Sequence, residues 1–203
     1  EDSTLRAQVS LYTLRTHSQV MLPLCRQLLD NAGVTLEEID LFAVADGPGS
    51  YPGLRIGISA VKGMAFALGK PCAGISTLEG MAYNLLGTRG TLCCAIHARQ
   101  QLHYCGIFPS DGREITRLTE DAILPQEHLL EQLRTLPQPV TVCGDGAAML
   151  LEAEPGLIQA PPHLLLQSAA GIALAARHAQ PVDADALCAR YLQATQAEKL
   201  KHE

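Results

Sequence analysis

The stretch with the most backbone freedom is Ala43-Val44-Ala45-Asp46-Gly47-Pro48-Gly49-Ser50-Tyr51-Pro52-Gly53-Leu54-Arg55-Ile56-Gly57. Gly47 and Gly49 admit positive φ, Pro52 suits the first turn of a helix, and the free N–H groups of a helix start point out of the turn. A strand, glycine turn and helix in that order can hold an anion. The spacing departs from the G-x-G-x-x-G dinucleotide fingerprint and lacks the Lys-Ser/Thr of a phosphate loop, so a structural tight turn is the stronger reading. Ser50 sits outside a G-x-S-x-G setting and has no base assigned to it, which argues against a serine nucleophile.

The seven histidines (His17, His97, His103, His128, His163, His178, His202) include no pair four apart, the spacing that puts two imidazoles on one helical face toward a metal. The seven cysteines are an odd number, lie mostly in apolar runs and form no C-x-x-C pair, which predicts buried thiols in a reducing compartment. The vicinal Cys93-Cys94 falls in a strand-like run and reads as core.

These residues must be positioned by regular elements. Alternation predicts a strand over 5–13, and helical spacing of Met21, Leu24 and Leu28 a helix over 16–31, stopped by Gly33. Pro23 places that helix's true start at 17–19. Thr35-Leu36-Glu37-Glu38 is a capping box ahead of a strand over 40–45. A helix over 54–68, a strand over 72–76 and a helix over 77–86 follow. Past Gly87-Thr88-Arg89-Gly90 a hairpin (91–97 and 102–108) opens a second lobe. It continues with a strand over 114–118, a helix over 126–136, a strand over 140–143, a turn at 144–146, a helix to 152 and a helix over 168–179. Strand and helix alternate in both halves, so the class is α/β.

With 203 residues, 47% apolar and 18% charged, the chain can bury a core in one or two compact lobes. A net charge of −6, with 15 basic against 21 acidic residues, argues against direct nucleic-acid binding by this chain alone. No apolar run reaches the roughly 18 residues of a membrane span, and Glu1-Asp2-Ser3-Thr4-Leu5 has no signal-peptide character, so a soluble cytoplasmic protein is expected.

The glycine turn and the helix after it resemble the Gly-Pro-Gly-Ser-aromatic-x-Gly-Leu-Arg-Ile-Gly signature of the TsaB (YeaZ) family. Thr16-His17-Ser18-Gln19 with Leu22-Pro23, Lys62-Gly63 with Ala67-Leu68-Gly69-Lys70-Pro71, and Gly74-Ile75-Ser76-Thr77-Leu78-Glu79 are similar to further blocks of the family, in order. The match is strong over 15–86 and looser beyond, where His97-Ala98-Arg99-Gln100 stands for the family's Asp-Ala-Arg-Arg and Tyr191-Leu192 with Ala197-Glu198 resembles its end. The resemblance implies a two-lobed actin-like ATPase (ASKHA) fold. Its first lobe spans 1–88 and its second 89–203, with the C-terminal segment packing back on the first. The family's opening strand, with its Ile-Asp-Thr-Ser turn, is absent from this chain.

The same resemblance bears on chemistry. The related catalytic subunit TsaD carries His-x-Glu-Gly-His on the helix that here reads Thr77-Leu78-Glu79-Gly80-Met81. A hydroxyl and a thioether replace the two imidazoles and are poor ligands for such a cation, so Thr77 and Met81 mark lost metal positions. Glu79, a single carboxylate on a partly apolar helix, reads as a capping or solvated group. The resemblance implies a non-catalytic scaffold for N6-threonylcarbamoyladenosine (t6A) formation on tRNA. It would bind a TsaD-like catalytic subunit and a TsaE-like ATPase, leave ATP and metal to those partners, and touch tRNA only through the complex. The alternative is an ATP-dependent kinase or hydrolase of the actin-like superfamily.

The pairing surface expected for such a scaffold lies on two helices. On 54–68, Leu54, Ile58, Val61, Ala65 and Leu68 form a core face, while Arg55, Ser59, Lys62 and Phe66 face out. Gly53, Gly57, Ala60 and Met64 make a small-residue stripe that lets another helix approach closely, and Met64 and Phe66 adapt to different partners. On the first helix Leu22, Cys25, Arg26 and Leu29 lie away from Met21, Leu24 and Leu28. An isologous homodimer through these faces, exchangeable for a heterodimer with the catalytic relative, is the expectation.

Overall fold

The computed structural model describes residues 4–11 and 13–192. Helix α1 (His17–Ala32), a 3-10 turn at Leu36–Glu38, strand β1 (Phe42–Gly47), helix α2 (Tyr51–Leu68), strand β2 (Cys72–Ser76) and helix α3 (Thr77–Asn84) form the first half. β1 and β2 run parallel, with Phe42 opposite Cys72 and Ala45 opposite Ile75. The second half holds β3 (Arg89–Arg99), β4 (Leu102–Asp111), β5 (Ala122–Pro125), α4 (Gln126–Arg134), β6 (Val140–Cys143), α5 (Ala147–Ala153), β7 (Ile158–Gln159) and α6 (Ala169–Ala176). Its sheet has five strands in the order β5-β4-β3-β6-β7, the β3–β4 and β4–β5 pairs antiparallel and the rest parallel.

Alternation along β3 decides the layering. Cys93 and Ala95 meet Leu129, Leu130 and Leu133 of α4 on one face, while Leu92 and Cys94 meet Leu78, Met81 and Leu85 on the other. The first half's last helix is thus core for the second half's sheet. Above β1 and β2, Ile58, Val61 and Ala65 of α2 pack with Phe42, Cys72, Ala184 and Leu187, and Ala73 and Ile75 face Ile172, Ala175 and Ala176 of α6. The segment after α6 returns to the first half, where Val182 bridges Cys72. Truncating Leu78 or Phe108, both fully buried, should cost about 3 kcal/mol each.

Three expectations differ from the structure. Residues 4–11 form no strand, and Leu5, Val9 and Leu11 stay exposed. Alternation marks a strand, but a ladder needs a partner, and among the described residues the first sheet holds only β1 and β2. Residues 114–118 run beside β4, with a bridge between Ser110 and Ile115 and backbone hydrogen bonds from Thr116 N–H to Pro109 and from Leu118 N–H to Ile107, but form no regular strand, and β5 forms at Ala122–Pro125 against β4. Helix α2 begins three residues earlier than its apolar spacing suggests, because Ser50 Oγ accepts from Gly53 N–H at 3.1 Å and Pro52 fits the first turn. Five cysteines are buried as expected, whereas Cys25 is half-buried and Cys188 exposed.

Candidate pairing surface

Helix α1 is defined at both ends yet holds no buried residue. Thr16 N–H donates to Gln19 Oε1 at 3.2 Å, and Gly33 at φ 64 turns the chain so that Val34 N–H reaches the Leu29 carbonyl at 3.1 Å. Leu22 is 52% exposed. Leu22, Cys25, Arg26 and Leu29 line a groove of about 460 Å³ that Met64 of α2 and Leu36 complete. Burial raises the Cys25 pKa and keeps the thiol neutral, while the Arg26–Asp30 pair at 4.0 Å is solvated and adds little.

On α2 the inward face is Leu54, Ile58, Val61 and Ala65, with Leu68 packed at its edge. Phe66 is 76% exposed, Ser59 is exposed, and Ala60 and Met64 are half-buried. Two of the expected pairing residues are engaged within the chain. Lys62 Nζ donates to the Asp185 and Leu187 carbonyls at 3.3 and 3.2 Å, and Arg55 Nε donates to the Tyr191 hydroxyl at 3.3 Å while its guanidinium lies over Tyr51. The small-residue stripe also turns partly inward: a Cβ on Gly57 would press on Val44 at 3.3 Å, and one on Gly53 would crowd Ser50 Oγ and approach His17. Helical spacing carries no information on the C-terminal segment that takes up Lys62 and Arg55.

The two positions expected to be lost metal positions, Thr77 and Met81, are core here. Thr77 is 3% exposed with Oγ1 unpartnered, and Met81 is 1% exposed against Leu78, Leu85 and Phe108. Glu79 is half-buried and paired rather than a cap or a free carboxylate: its Oε2 accepts from Arg117 at 2.9 Å, and Arg117 also binds Asp121 at 2.6 Å. Among the described residues no group of three His, Cys, Asp or Glu side chains is placed to hold a metal ion.

The glycine turn closes on the protein itself. Asp46, at its start, is buried, with Oδ2 held by Arg190 and Oδ1 unpartnered. Burial raises its pKa, and Arg190 opposes that shift. Tyr191 stacks on Tyr51 with ring centroids 4.6 Å apart.

Comparison with known proteins agrees with this architecture. The family model described as TsaD: tRNA N6-adenosine threonylcarbamoyltransferase matches residues 11–202. The tRNA threonylcarbamoyladenosine biosynthesis protein TsaB of Escherichia coli is 31% identical over 198 residues, covering 89% of this chain and 85% of that protein. A tRNA N6-adenosine threonylcarbamoyltransferase of Symbiobacterium thermophilum is 48% identical over 69 residues, 34% of this chain and only 20% of the transferase. YeaZ from Pseudomonas aeruginosa superposes with a TM-score of 0.73 at 28% identity, over 91% of this chain and 89% of that one. A further Pseudomonas aeruginosa structure, of an uncharacterized protein with similarity to peptidase YEAZ, gives a TM-score of 0.74 at 30% identity over 88% of this chain and 85% of that one. On a matched model spanning nearly its whole length and on relatives of its own size, the chain belongs to the TsaD family and, within it, to the TsaB (YeaZ) proteins, with their actin-like α/β fold.

Proposed function

We propose that this chain is a non-catalytic scaffold required for t6A modification of tRNA, and that it acts in the cytoplasm by pairing through α1 and α2 with a TsaD-like catalytic subunit. The observation that carries the reading is the face of α1 and α2: a helix with no buried residue, Leu22 and Phe66 open to solvent, and an apolar groove between them. Such a face gains stability by being covered. Core residues at the lost metal positions support a silent chain, because Thr77 and Met81 have no access to an ion. A TsaE-like ATPase joins the pair, ATP and metal belong to the partners, and tRNA is reached through the complex. The names borne by the relatives support the pathway.

The test is capture of partners from cell extract with the full chain, followed by reconstitution of t6A formation. The expected result is a complex with a TsaD-like protein, and t6A formation only when both are present. ATP hydrolysis, or tight stoichiometric binding of zinc or iron, by the purified chain alone would overturn the reading in favour of an actin-like kinase or hydrolase.

A further inference from the structure

Helices α3 and α6 cross where neither carries a side chain. A Cβ on Gly171 would run into the Gly80 carbonyl and Asn84 Oδ1, and one on Gly80 would run into Ile172. Beside this tight seam the segment after β4 lies across both helices, and the three enclose a cleft of about 650 Å³. That volume suits a small organic ligand. None of its lining residues belongs to the pairing faces.

The cleft is part aromatic and part cationic. Tyr83 and His178 face each other with centroids 5.8 Å apart and rings tilted by 32°, and Leu86, Ile115 and Leu174 add apolar surface. Arg117 is committed, since it pairs with Glu79 and Asp121 and covers the Phe108 ring at 4.9 Å, so it is spent on these two carboxylates and braces the wall. Arg113 and Arg177 also line the cleft, and neither guanidinium has a hydrogen-bond or ion-pair partner among the described residues. Glu114 on the lining and Asp111 beside Arg113 oppose them, so what the cleft offers an anion is two uncommitted guanidinium groups rather than a net positive charge.

We propose that this cleft binds a small anion carrying a flat apolar ring. The ring lies against Tyr83 and His178, and the anion takes charge-assisted hydrogen bonds from Arg113 and Arg177. Burial, with Glu79 and Glu114 nearby, holds the proton on Tyr83, so its hydroxyl is available as a neutral donor. Nucleoside monophosphates and aromatic carboxylates share this chemistry, and binding tells them apart.

The experiment is calorimetric titration of the full chain with AMP, benzoate, inorganic phosphate and adenosine. The expected result is saturable one-to-one binding of AMP or benzoate, with phosphate or adenosine alone weaker by about tenfold. Binding of AMP and not benzoate assigns a phosphate ester, and the reverse assigns a carboxylate. Arg113→Ala and Arg177→Ala, both exposed and compatible with folding, should each weaken binding by about tenfold. The proposal is overturned if neither AMP nor benzoate binds, or if binding survives both substitutions unchanged.

Discussion

Arg190 holds Asp46 twice: its Nε donates to Asp46 Oδ2 at 2.9 Å, and its backbone N–H donates to the Asp46 carbonyl at 2.7 Å. Gly47, next in the chain, sits at φ 132 with the Arg190 carbonyl oxygen packed where a Cβ would stand. The stretch from Val182 to Tyr191 is therefore strapped over β1, β2 and the start of α2.

Arg190→Ala would leave Asp46, whose side chain is 8% exposed, buried with neither oxygen paired. Urea unfolding should show a loss of roughly 2 kcal/mol. The Arg190 side chain is 54% exposed, and solvent screening keeps the loss below that of a fully buried pair. Gly47→Ala should cost a similar amount, because both the positive φ and the close carbonyl oppose a Cβ. Asp46→Asn combined with Arg190→Ala should cost less than the two single changes added together. Full additivity would show that the strap does not depend on this pair.

His103 sets a pH dependence. It is fully buried, with Nε2 3.2 Å from Gln126 Oε1 and Nδ1 unpartnered against the backbone of Gly146, and it faces His97 edge-on with Asp145 nearby. Burial lowers its pKa from 6.5, because a charged ring would place an N–H on Nδ1 with no acceptor. The unfolded chain takes up the proton first as pH falls. The stability present above about pH 6.5 is therefore lost progressively below it, down to the folded pKa. Denaturant midpoints between about pH 7.5 and about pH 6 should fall for the native chain and much less for His103→Gln. Equal slopes in the two proteins would assign the effect elsewhere.

Leu22→Glu places a charge on the exposed face of α1, and Ala60→Asp does so on the half-buried flank of α2. On the proposed pairing through α1 and α2, each should weaken the proposed heterodimer, and a homodimer formed through the same faces, by roughly tenfold or more while leaving the monomer's circular dichroism unchanged. Sedimentation and partner titration measure the two assemblies separately. Loss of one assembly with the other intact would mean that they use different surfaces.

The α3–α6 seam predicts a contrast between two glycines. Gly171→Ala forces the helices apart and should cost about 1–3 kcal/mol in thermal unfolding. Gly63→Ala, on α2 with nothing within 4 Å of the added methyl, should instead stabilise by roughly 0.5–1 kcal/mol. The reverse ranking would contradict the packing described for both helices.

Much of this architecture is local and was legible from the residues alone. Thr16 and Gly33 bound α1, the 3.6-residue spacing of Leu54, Ile58, Val61 and Ala65 names the buried face of α2, and the apolar runs at Cys72–Ser76 and Val140–Cys143 are strands. The wording of 43–57 pointed to the family without reference to any contact. Such features survive a reading of the chain in one dimension because caps and periodicity act over a few residues.

What only the tertiary structure decided concerns partners distant along the chain. Arg55 and Lys62 look equally free on a helical wheel, yet segments more than 120 residues away occupy both. Glu79 reads as a solvated carboxylate until Arg117 folds beside it, and Gly80 and Gly171 gain meaning only where α3 meets α6. Residues 4–11 alternate as a strand should and form none. The physical reason is common to all of these: the state of a charge, a strand edge or a missing side chain is set by whatever the fold brings against it. Local sequence carries only half of each such pair.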